Sequence, residues 1–166
     1  MNGWIVGVTA ILTAAGCWSD LRTMTIPNRL TVGFAVGGLI VHALLDGRTG
    51  VTNALLGCAA GALPLSLLYR LKGIGAGDVK WFGAFGMWAG AGIALQLLLG
   101  SILLAGLFSA LLLTLRLPGL RRWGSRLPWP WGRHPALPGR GAVFPFMLAV
   151  APGYAWLVWR MGNWAF

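Results

Sequence analysis

Long apolar runs separated by short polar breaks make up most of the chain. A run of about 20 apolar residues crosses the roughly 30 Å hydrocarbon core of a bilayer as a helix, and the breaks here are rich in glycine, proline or charge. The runs lie near residues 3–19, 28–46, 51–69, 78–90, 91–115 and 142–160. The pattern therefore predicts an all-α fold, a polytopic membrane helix bundle of about six transmembrane helices that forms one domain over residues 1–166.

Residues 78–115 fit either two short helices broken at residues 89–92 or one overlong helix. Positive charge distinguishes the two, because Lys and Arg accumulate on the cytoplasmic side of a membrane protein. With six spans and the N-terminus outside, only Arg48 and Arg160 of the 13 Lys and Arg residues face outward. With five spans the block from Arg116 to Arg140 changes sides and the bias disappears. We therefore expect six spans.

The composition excludes a soluble domain, since 57% of the residues are hydrophobic, 10% are charged and the mean hydropathy is +0.74. The net charge of +10 would suggest nucleic acid in a soluble protein, but the cations lie in the gaps between apolar runs, as topology signals do. We expect membrane lipid and no nucleic acid as a partner. No basic segment precedes the first run, so we expect it to remain a span and not to be a cleaved signal.

Small residues recur four positions apart at Gly33/Gly37, Gly57/Gly61 and Gly86/Gly90. This spacing lets helix backbones approach closely in lipid and predicts packing seams. The loop over residues 116–140 differs, since its five prolines make a continuous helix unfavourable. Its tryptophans among arginines favour an interfacial anchor that contacts headgroups; a docking surface for a substrate or partner is the alternative.

Cysteine and histidine chemistry has little support in the sequence. Cys17 and Cys58 lie in separate apolar runs without a CxxC spacing, so neither a disulfide framework nor a zinc site is indicated. His42 and His134 have no serine or cysteine in a recognisable triad pattern. We therefore expect no metal and no cofactor.

The acidic residues carry the strongest signal, because the chain has three aspartates and no glutamate. Asp46 lies in an Asp-Gly-Arg-Thr-Gly turn on the outer side, and a solvated turn residue explains it. Asp20 and Asp78 both lie where an apolar run meets the cytoplasmic face. Ionisable groups at membrane depth are costly and tend to be functional, so this pair is the candidate site.

Two other functions are alternatives to an enzymatic one. A small transporter or proton channel would use acids nearer mid-span and a polar path along several helices, yet Gln96 is the only amide in the later apolar runs. A catalytically inactive membrane protein of a secretion assembly is the other reading, and the sequence does not exclude it.

The segments around the two aspartates are distinctive. Asp20 opens Asp-Leu-Arg-Thr-Met-Thr-Ile-Pro-Asn, in which Pro27 fits the first turn of the next helix. Asp78 follows Gly-Ile-Gly-Ala-Gly, whose glycines permit sharp turns and close approach of another backbone. Residues 20–28 resemble the D-x-R-x-x-x-I-P-N segment, and residues 75–80 the GxGD-x-K segment, of the type IV prepilin peptidases, which are membrane aspartyl proteases. Residues 144–146 are similar, more loosely, to the start of that family's last helix.

The resemblance covers nearly the whole chain and implies a transmembrane peptidase. It implies that Asp20 and Asp78 are catalytic. Supporting or substrate-binding roles fall on Arg22, Pro27, Asn28, Gly75, Gly77 and Lys80. For Arg22 and Lys80 the alternative is that they belong only to the positive charge of the cytoplasmic side. Long-form members carry an N-terminal methyltransferase part with paired cysteines, which this sequence does not show; the resemblance is to the short, peptidase-only members, as in Flp/Tad pilus systems, and methylation is not implied.

The implied reaction is removal of the leader peptide from a prepilin or pilin-like protein in the bacterial inner membrane. The cut falls on the cytoplasmic side, between a short basic leader and a hydrophobic helix. From the residues alone, helix dipoles suggest an asymmetry, because Asp20 lies near a helix C-terminus and Asp78 near a helix N-terminus. We therefore expect Asp78 to be the ionised partner and Asp20 the protonated one.

Overall fold

The computed structural model describes residues 2–115, 117, 119–120, 126, 128–131, 134 and 143–163. Within this part of the chain the regular structure is helical. The helices are α1 (Gly3–Thr23), α2 (Asn28–Arg70), α3 (Ala76–Ala89), α4 (Ala91–Thr114) and α5 (Met147–Asn163). The predicted all-α class is confirmed.

Among the described residues, α1, α2 and α4 are the three helices long and apolar enough to cross a membrane. The 43-residue α2 is not one straight helix, because Gly47 adopts non-helical angles (φ 59°, ψ −135°) and divides it into residues 28–46 and 48–70. Helix α3 has 14 residues, so at 1.5 Å per residue it is about 21 Å long. It ends at Gly90 (φ 81°, ψ 166°), where α4 begins. Residues 78–115 therefore form two helices.

Helix α3 occupies the centre of the bundle and contacts α1, α2 and α4. Trp81, Phe82 and Phe85 are fully buried, and the rings of Trp81 and Phe85 stack with centroids 5.4 Å apart. The Trp81 indole N–H donates to the Leu12 carbonyl oxygen on α1, at 3.2 Å. A helix that is apolar on all sides belongs inside a bundle, and this burial fixes the position of Asp78 in its first turn.

Glycines set the distance between α3 and the second part of α2. A Cβ at Gly57 would meet the Gly86 carbonyl oxygen, and one at Gly61 would meet the Phe82 carbonyl oxygen. The predicted seams at Gly57/Gly61 and Gly86/Gly90 are thus contact surfaces between backbones. The prediction for Gly33 is wrong, because open space surrounds the position where its Cβ would lie.

Helix α5 begins at residue 147, five residues later than the predicted start of the last span at 142. Residues 143–146 are not helical, because Pro145 lacks an N–H and disfavours helical angles at the residue before it. Further along α5, the Tyr154 hydroxyl lies 2.9 Å from the Thr9 hydroxyl on α1. This contact holds α5 against α1 and brings the start of α5 beside the end of α1.

Candidate active site

Asp20 lies in the last turn of α1 and is 5% exposed. Its Oδ2 accepts a hydrogen bond from the Met147 backbone N–H at 3.1 Å. The first N–H groups of a helix have no partner within the helix, so the Asp20 carboxyl group satisfies one of them at the start of α5. Asp20 therefore joins the C-terminal end of one helix to the N-terminal end of another.

Asp78 is the third residue of α3, and Gly75 is the helix N-cap. The Gly75 backbone N–H donates to the half-buried Asp78 side chain, which is one half of a capping box. A Cβ at Gly75 would lie 3.2 Å from Asp78 Oδ2, a tight approach for carbon and oxygen. The absence of a side chain at Gly75 therefore leaves room for the Asp78 carboxyl group.

Asp20 and Asp78 line one cavity of about 620 Å³ at the end of the bundle, and the charge on Asp20 acts on the Asp78 carboxyl group. The other residues that line the cavity come from the sequence before and after the loop over residues 116–140. They are Met24, Leu68, Lys72, Gly73, Ile74, Gly75, Ile102, Ala105, Ser109, Val143, Phe144, Pro145 and Phe146. Each aspartate lies at the N-terminus of a helix, Asp20 beside α5 and Asp78 within α3. The dipole asymmetry expected from the sequence was incomplete, because it considered only α1 for Asp20.

Two contacts join the turn after α1 to the start of α3. Lys80 Nζ donates to Asn28 Oδ1 at 2.8 Å. A Cβ at Gly77 would lie 3.3 Å from the Ile26 backbone nitrogen, so Gly77 allows residue 26 to approach α3 closely. Pro27 is the N-cap of α2, one position before the first turn in which the sequence placed it. These contacts hold the turn after α1 against the start of α3, the helix that carries Asp78.

Arg22 is placed differently from the expectation. Its guanidinium carbon lies 4.0 Å from the centroid of the Trp18 ring on the same helix, its side chain is exposed, and the cavity wall within the described residues does not include it. Residues two apart in a helix do not share a face. Because Asp20 faces the cavity, Arg22 faces away from it.

Sequence reasoning missed Lys72 and Met24, which line the cavity at the turns that follow α2 and α1. Both have positive φ, 58° for Lys72 and 52° for Met24, and they are the two described non-glycine residues that do. The sequence does show a long side chain directly before the glycine-rich turn, at Lys72, and another within the first aspartate segment, at Met24, although the backbone angles of both depend on the tertiary structure.

Part of the loop over residues 116–140 contacts the same end of the bundle. The Trp131 indole N–H donates to the Leu21 carbonyl oxygen at 3.0 Å, and the Trp129 and Trp131 rings form an edge-to-face pair with centroids 5.2 Å apart. Trp123 and most of the loop arginines lie outside the described residues.

In the described part of the chain no three His, Cys, Asp or Glu side chains are grouped as a metal site would require.

Known proteins resemble this chain in the region that carries the site. The sequence profile described as the type IV leader peptidase family matches residues 7–110. A prepilin leader peptidase/N-methyltransferase of Aeromonas hydrophila is 34% identical over 148 residues, which cover 82% of this chain and 49% of the relative. A protein of the same description from Aeromonas salmonicida is 32% identical over 147 residues, covering 82% of this chain and 48% of the relative.

The leader peptidase HopD of Salmonella typhimurium is 39% identical over 77 residues, which cover 42% of this chain and 48% of HopD. The chain spans about half the length of the curated relatives it matches. No solved structure matches it. The matched residues 7–110 are more than half of the chain and contain both Asp20 and Asp78. The resemblance drawn from the two aspartate segments is therefore confirmed, and the chain belongs to the type IV leader peptidase family.

Proposed function

We propose that this protein is a membrane aspartyl endopeptidase that removes the leader peptide from type IV prepilins or pilin-like proteins. One observation carries the proposal: Asp20 and Asp78, on different helices, line a single cavity within the residues that match the family. Neighbouring carboxyl groups in a low-dielectric site share a proton, because two like charges at short range are costly. This is the arrangement that aspartic proteases use.

The reaction follows from that shared proton. The ionised carboxylate takes a proton from a water molecule, whose oxygen attacks the carbonyl carbon of the scissile peptide bond, while the protonated carboxyl group donates its proton to the carbonyl oxygen. The carboxyl group that took the proton from water then gives it to the leaving nitrogen as the C–N bond breaks, while the other carboxylate takes a hydroxyl proton from the tetrahedral intermediate, which restores one protonated and one ionised carboxyl group. The Met147 and Gly75 backbone N–H groups each hold one carboxyl group in place during these steps.

The cavity has the size and the surface for a peptide segment. Its volume of about 620 Å³ lies within the range of roughly 300–1,000 Å³ found for ligand sites. Ile102, Ala105, Phe144 and Phe146 supply apolar lining, and the glycine-rich turn at residues 73–75 supplies another part of the wall. An extended backbone can approach that turn closely because glycine has no side chain. This wall suits the apolar helix that follows the leader.

We also propose six spans in the inner membrane, with the N-terminus outside and the cavity at the cytoplasmic edge. The breaks at Gly47 and Gly90 support this topology, since they separate consecutive helical segments, and residues 48–70 run antiparallel to α3, with Gly57 against Gly86 and Gly61 against Phe82. The short α3 is surrounded by protein and therefore needs no lipid contact along its length. The distribution of Lys and Arg supports the orientation.

Cysteine labelling in spheroplasts tests the topology. The variants are Arg48→Cys and Arg70→Cys, both at exposed positions, in a chain in which Cys17 and Cys58 are replaced by alanine. A membrane-impermeant maleimide should label residue 48 in intact spheroplasts and residue 70 only after lysis. Labelling of both residues, or of residue 70 alone, in intact spheroplasts contradicts the orientation.

Cleavage in detergent tests the function. The purified full-length protein is incubated with a candidate prepilin from the same bacterium, and leader removal is followed by mass spectrometry. The expected result is a single cut at the junction of the leader and the apolar helix. An inert protein would favour a non-catalytic role in a secretion assembly. The position of both aspartates at one edge of the bundle argues against a proton path through it.

A further inference from the structure

The end of α2 is capped in an unusual way by Lys72. The Lys72 N–H donates to the Tyr69 carbonyl oxygen at 2.9 Å, and the Gly73 N–H donates to the Leu68 carbonyl oxygen at 2.9 Å. These two bonds form a Schellman motif, whose residue of positive φ is usually glycine. Lys72 occupies that position with φ 58°. The chain thus places a long cationic side chain where glycine would form the same turn more easily.

The Lys72 side chain lines the cavity that contains Asp20 and Asp78. Lys72 is exposed, so it lies at the mouth of the cavity and not in its interior. The third carboxylate of the chain, Asp46, lies next to Gly47 at the opposite end of the bundle, 3.6 Å from His42, and does not line this cavity. The Asp20 and Asp78 carboxyl groups accept from the Met147 and Gly75 N–H groups.

Met24 repeats the arrangement at the end of α1. It has left-handed angles (φ 52°, ψ 29°) at the C-cap, and its side chain lines the same cavity. Unfavourable backbone angles concentrate at functional sites, where the rest of the structure holds a residue in a strained conformation. Two turns that each direct a long side chain towards one cavity indicate that the side chains, and not the turns alone, are needed there.

We propose that Lys72 is a substrate-binding residue, whose ammonium group donates hydrogen bonds to oxygen acceptors of the peptide segment bound beside Asp20 and Asp78. The inference rests on the proposed function and assigns it a further residue. An ammonium group has three donors and no acceptor, and an extended peptide presents carbonyl oxygens and side-chain carboxylates. Gly73 and Gly75, on either side of Ile74, allow the peptide to pass close to the turn.

Lys72 also gives the bound peptide a direction. A basic leader is repelled by an ammonium group at the cavity mouth, because like charges at short range raise the energy. The leader therefore leaves the cavity on the side away from Lys72, and the segment that follows the scissile bond passes Lys72. The apolar wall formed by Ile102 and Phe144 lies in the same cavity and receives that segment.

The test compares Lys72→Gly, Lys72→Met and Lys72→Arg in the full-length protein, with Arg70→Met as the matched control. Arg70 lies two residues earlier, is exposed, and is outside the cavity wall formed by the described residues. The substrate is a fluorogenic peptide that spans a prepilin leader junction. Lys72→Gly and Lys72→Met should raise KM about tenfold, the loss expected for a hydrogen bond to a charged group, with kcat nearly unchanged. Lys72→Arg and Arg70→Met should keep the wild-type KM.

Stability distinguishes substrate binding from a purely structural role. Lys72→Gly removes the positive-φ strain, so its Tm should not fall below that of the wild type. A raised KM together with an undiminished Tm supports the proposal. A wild-type KM in Lys72→Gly overturns it, as does a rise in KM of the same size in Arg70→Met, which would reflect only the loss of positive charge at this edge.

Two further arms complete the test. A peptide whose side-chain carboxylates are replaced by amides identifies the acceptor: a KM that rises only for the wild type indicates a carboxylate, and an unchanged difference between wild type and Lys72→Gly indicates main-chain carbonyls. A wild-type protein that cuts no prepilin overturns the proposed function and this inference together. A wild-type protein that cuts normally, beside a Lys72→Gly variant of equal KM, overturns this inference alone.

Discussion

At the end of the bundle away from the cavity, the chain reverses at Gly47 and Gly90, whose angles (φ 59°, ψ −135° and φ 81°, ψ 166°) are open almost only to glycine. At the cavity end, it reverses at Met24 and Lys72, whose positive φ values of 52° and 58° a glycine would adopt more easily. The turns at the far end therefore contain glycine, the residue that their angles require. The turns at the cavity end keep a side chain, and their backbone is strained as a result.

The aspartates at the two ends also differ, in their burial and in their hydrogen bonds. Asp46, at the far end, has a side chain that is 61% exposed and lies 3.6 Å from His42. Asp20, at the cavity end, is 5% exposed and accepts from a backbone N–H of another helix. Burying a carboxyl group costs free energy unless hydrogen bonds or a partner charge offset the cost. The strained turns thus occur at the same end as the buried Asp20 and the half-buried Asp78, which is where we place the chemistry.

Replacing the carboxylates should give the largest difference in activity between the two ends of the bundle. Asp20→Asn and Asp78→Asn should each lower kcat by about 10²–10⁴-fold, the contribution typical of a positioned acid or base, because an amide can neither accept nor deliver the shared proton. Asp46→Asn is the matched control and should leave kcat unchanged. Initial rates of prepilin cleavage check all three. Retained cleavage in either of the first two variants would contradict the catalytic pair.

Much of this arrangement could be predicted from the sequence. Hydropathy placed helix breaks near residues 46–51 and 89–92, and the structure breaks the helices at Gly47 and Gly90. The scarcity of acids and their position at the edges of apolar runs selected Asp20 and Asp78, which line one cavity. These features are local, since apolar length and glycine content are properties of short stretches of chain.

Long-range contacts could not be predicted in the same way. The hydrogen bond from Met147 to Asp20 joins residues 127 positions apart, and no periodicity in either segment indicates it. Arg22 was expected to support Asp20 because the two belong to one motif. Helix geometry separates them, since residues two apart do not share a face, and the Arg22 guanidinium lies over the Trp18 ring instead.

A methyl group beside Asp78 should produce the next largest effect. In Gly75→Ala the new Cβ would lie 3.2 Å from Asp78 Oδ2, so the carboxyl group must shift slightly, by less than the misplacement of about 1 Å that can cost roughly 10²-fold in rate. We expect kcat to fall by about tenfold with little change in Tm. Gly92→Ala, in the first turn of α4 at the far end, is the control, because open space surrounds the position of its Cβ. Equal rates in the two variants would show that Gly75 does not position Asp78.

Exchanging the turn residues tests the strain argument itself. Gly90→Ala should destabilise the protein by about 1–3 kcal/mol, since its angles are nearly forbidden to other residues, while kcat of the remaining folded protein stays near the wild-type value. Met24→Gly should keep the wild-type Tm or raise it, because glycine removes the left-handed strain, but cleavage should weaken several-fold. Thermal unfolding in detergent and cleavage rates, measured on the same preparations, provide both readouts. A large fall in the Tm of Met24→Gly would mean that Met24 serves packing alone.

The hydrogen bond between Lys80 and Asn28 should give the smallest effect. It lies at the exposed surface of the cavity end, where water competes for both groups and reduces its contribution. Lys80→Met and Asn28→Ala should each lower the cleavage rate only a few-fold, because Gly77 still packs against Ile26 and keeps the two motifs together. Since both variants remove the same bond, the double variant should be no slower than the slower single one, which a double-mutant cycle measures.

Arg48→Met, at an exposed position of the far end, is the control and should leave the rate unchanged. Fully additive losses would show that Lys80 and Asn28 act separately, and the bond would then not be what couples the turn after α1 to the start of α3.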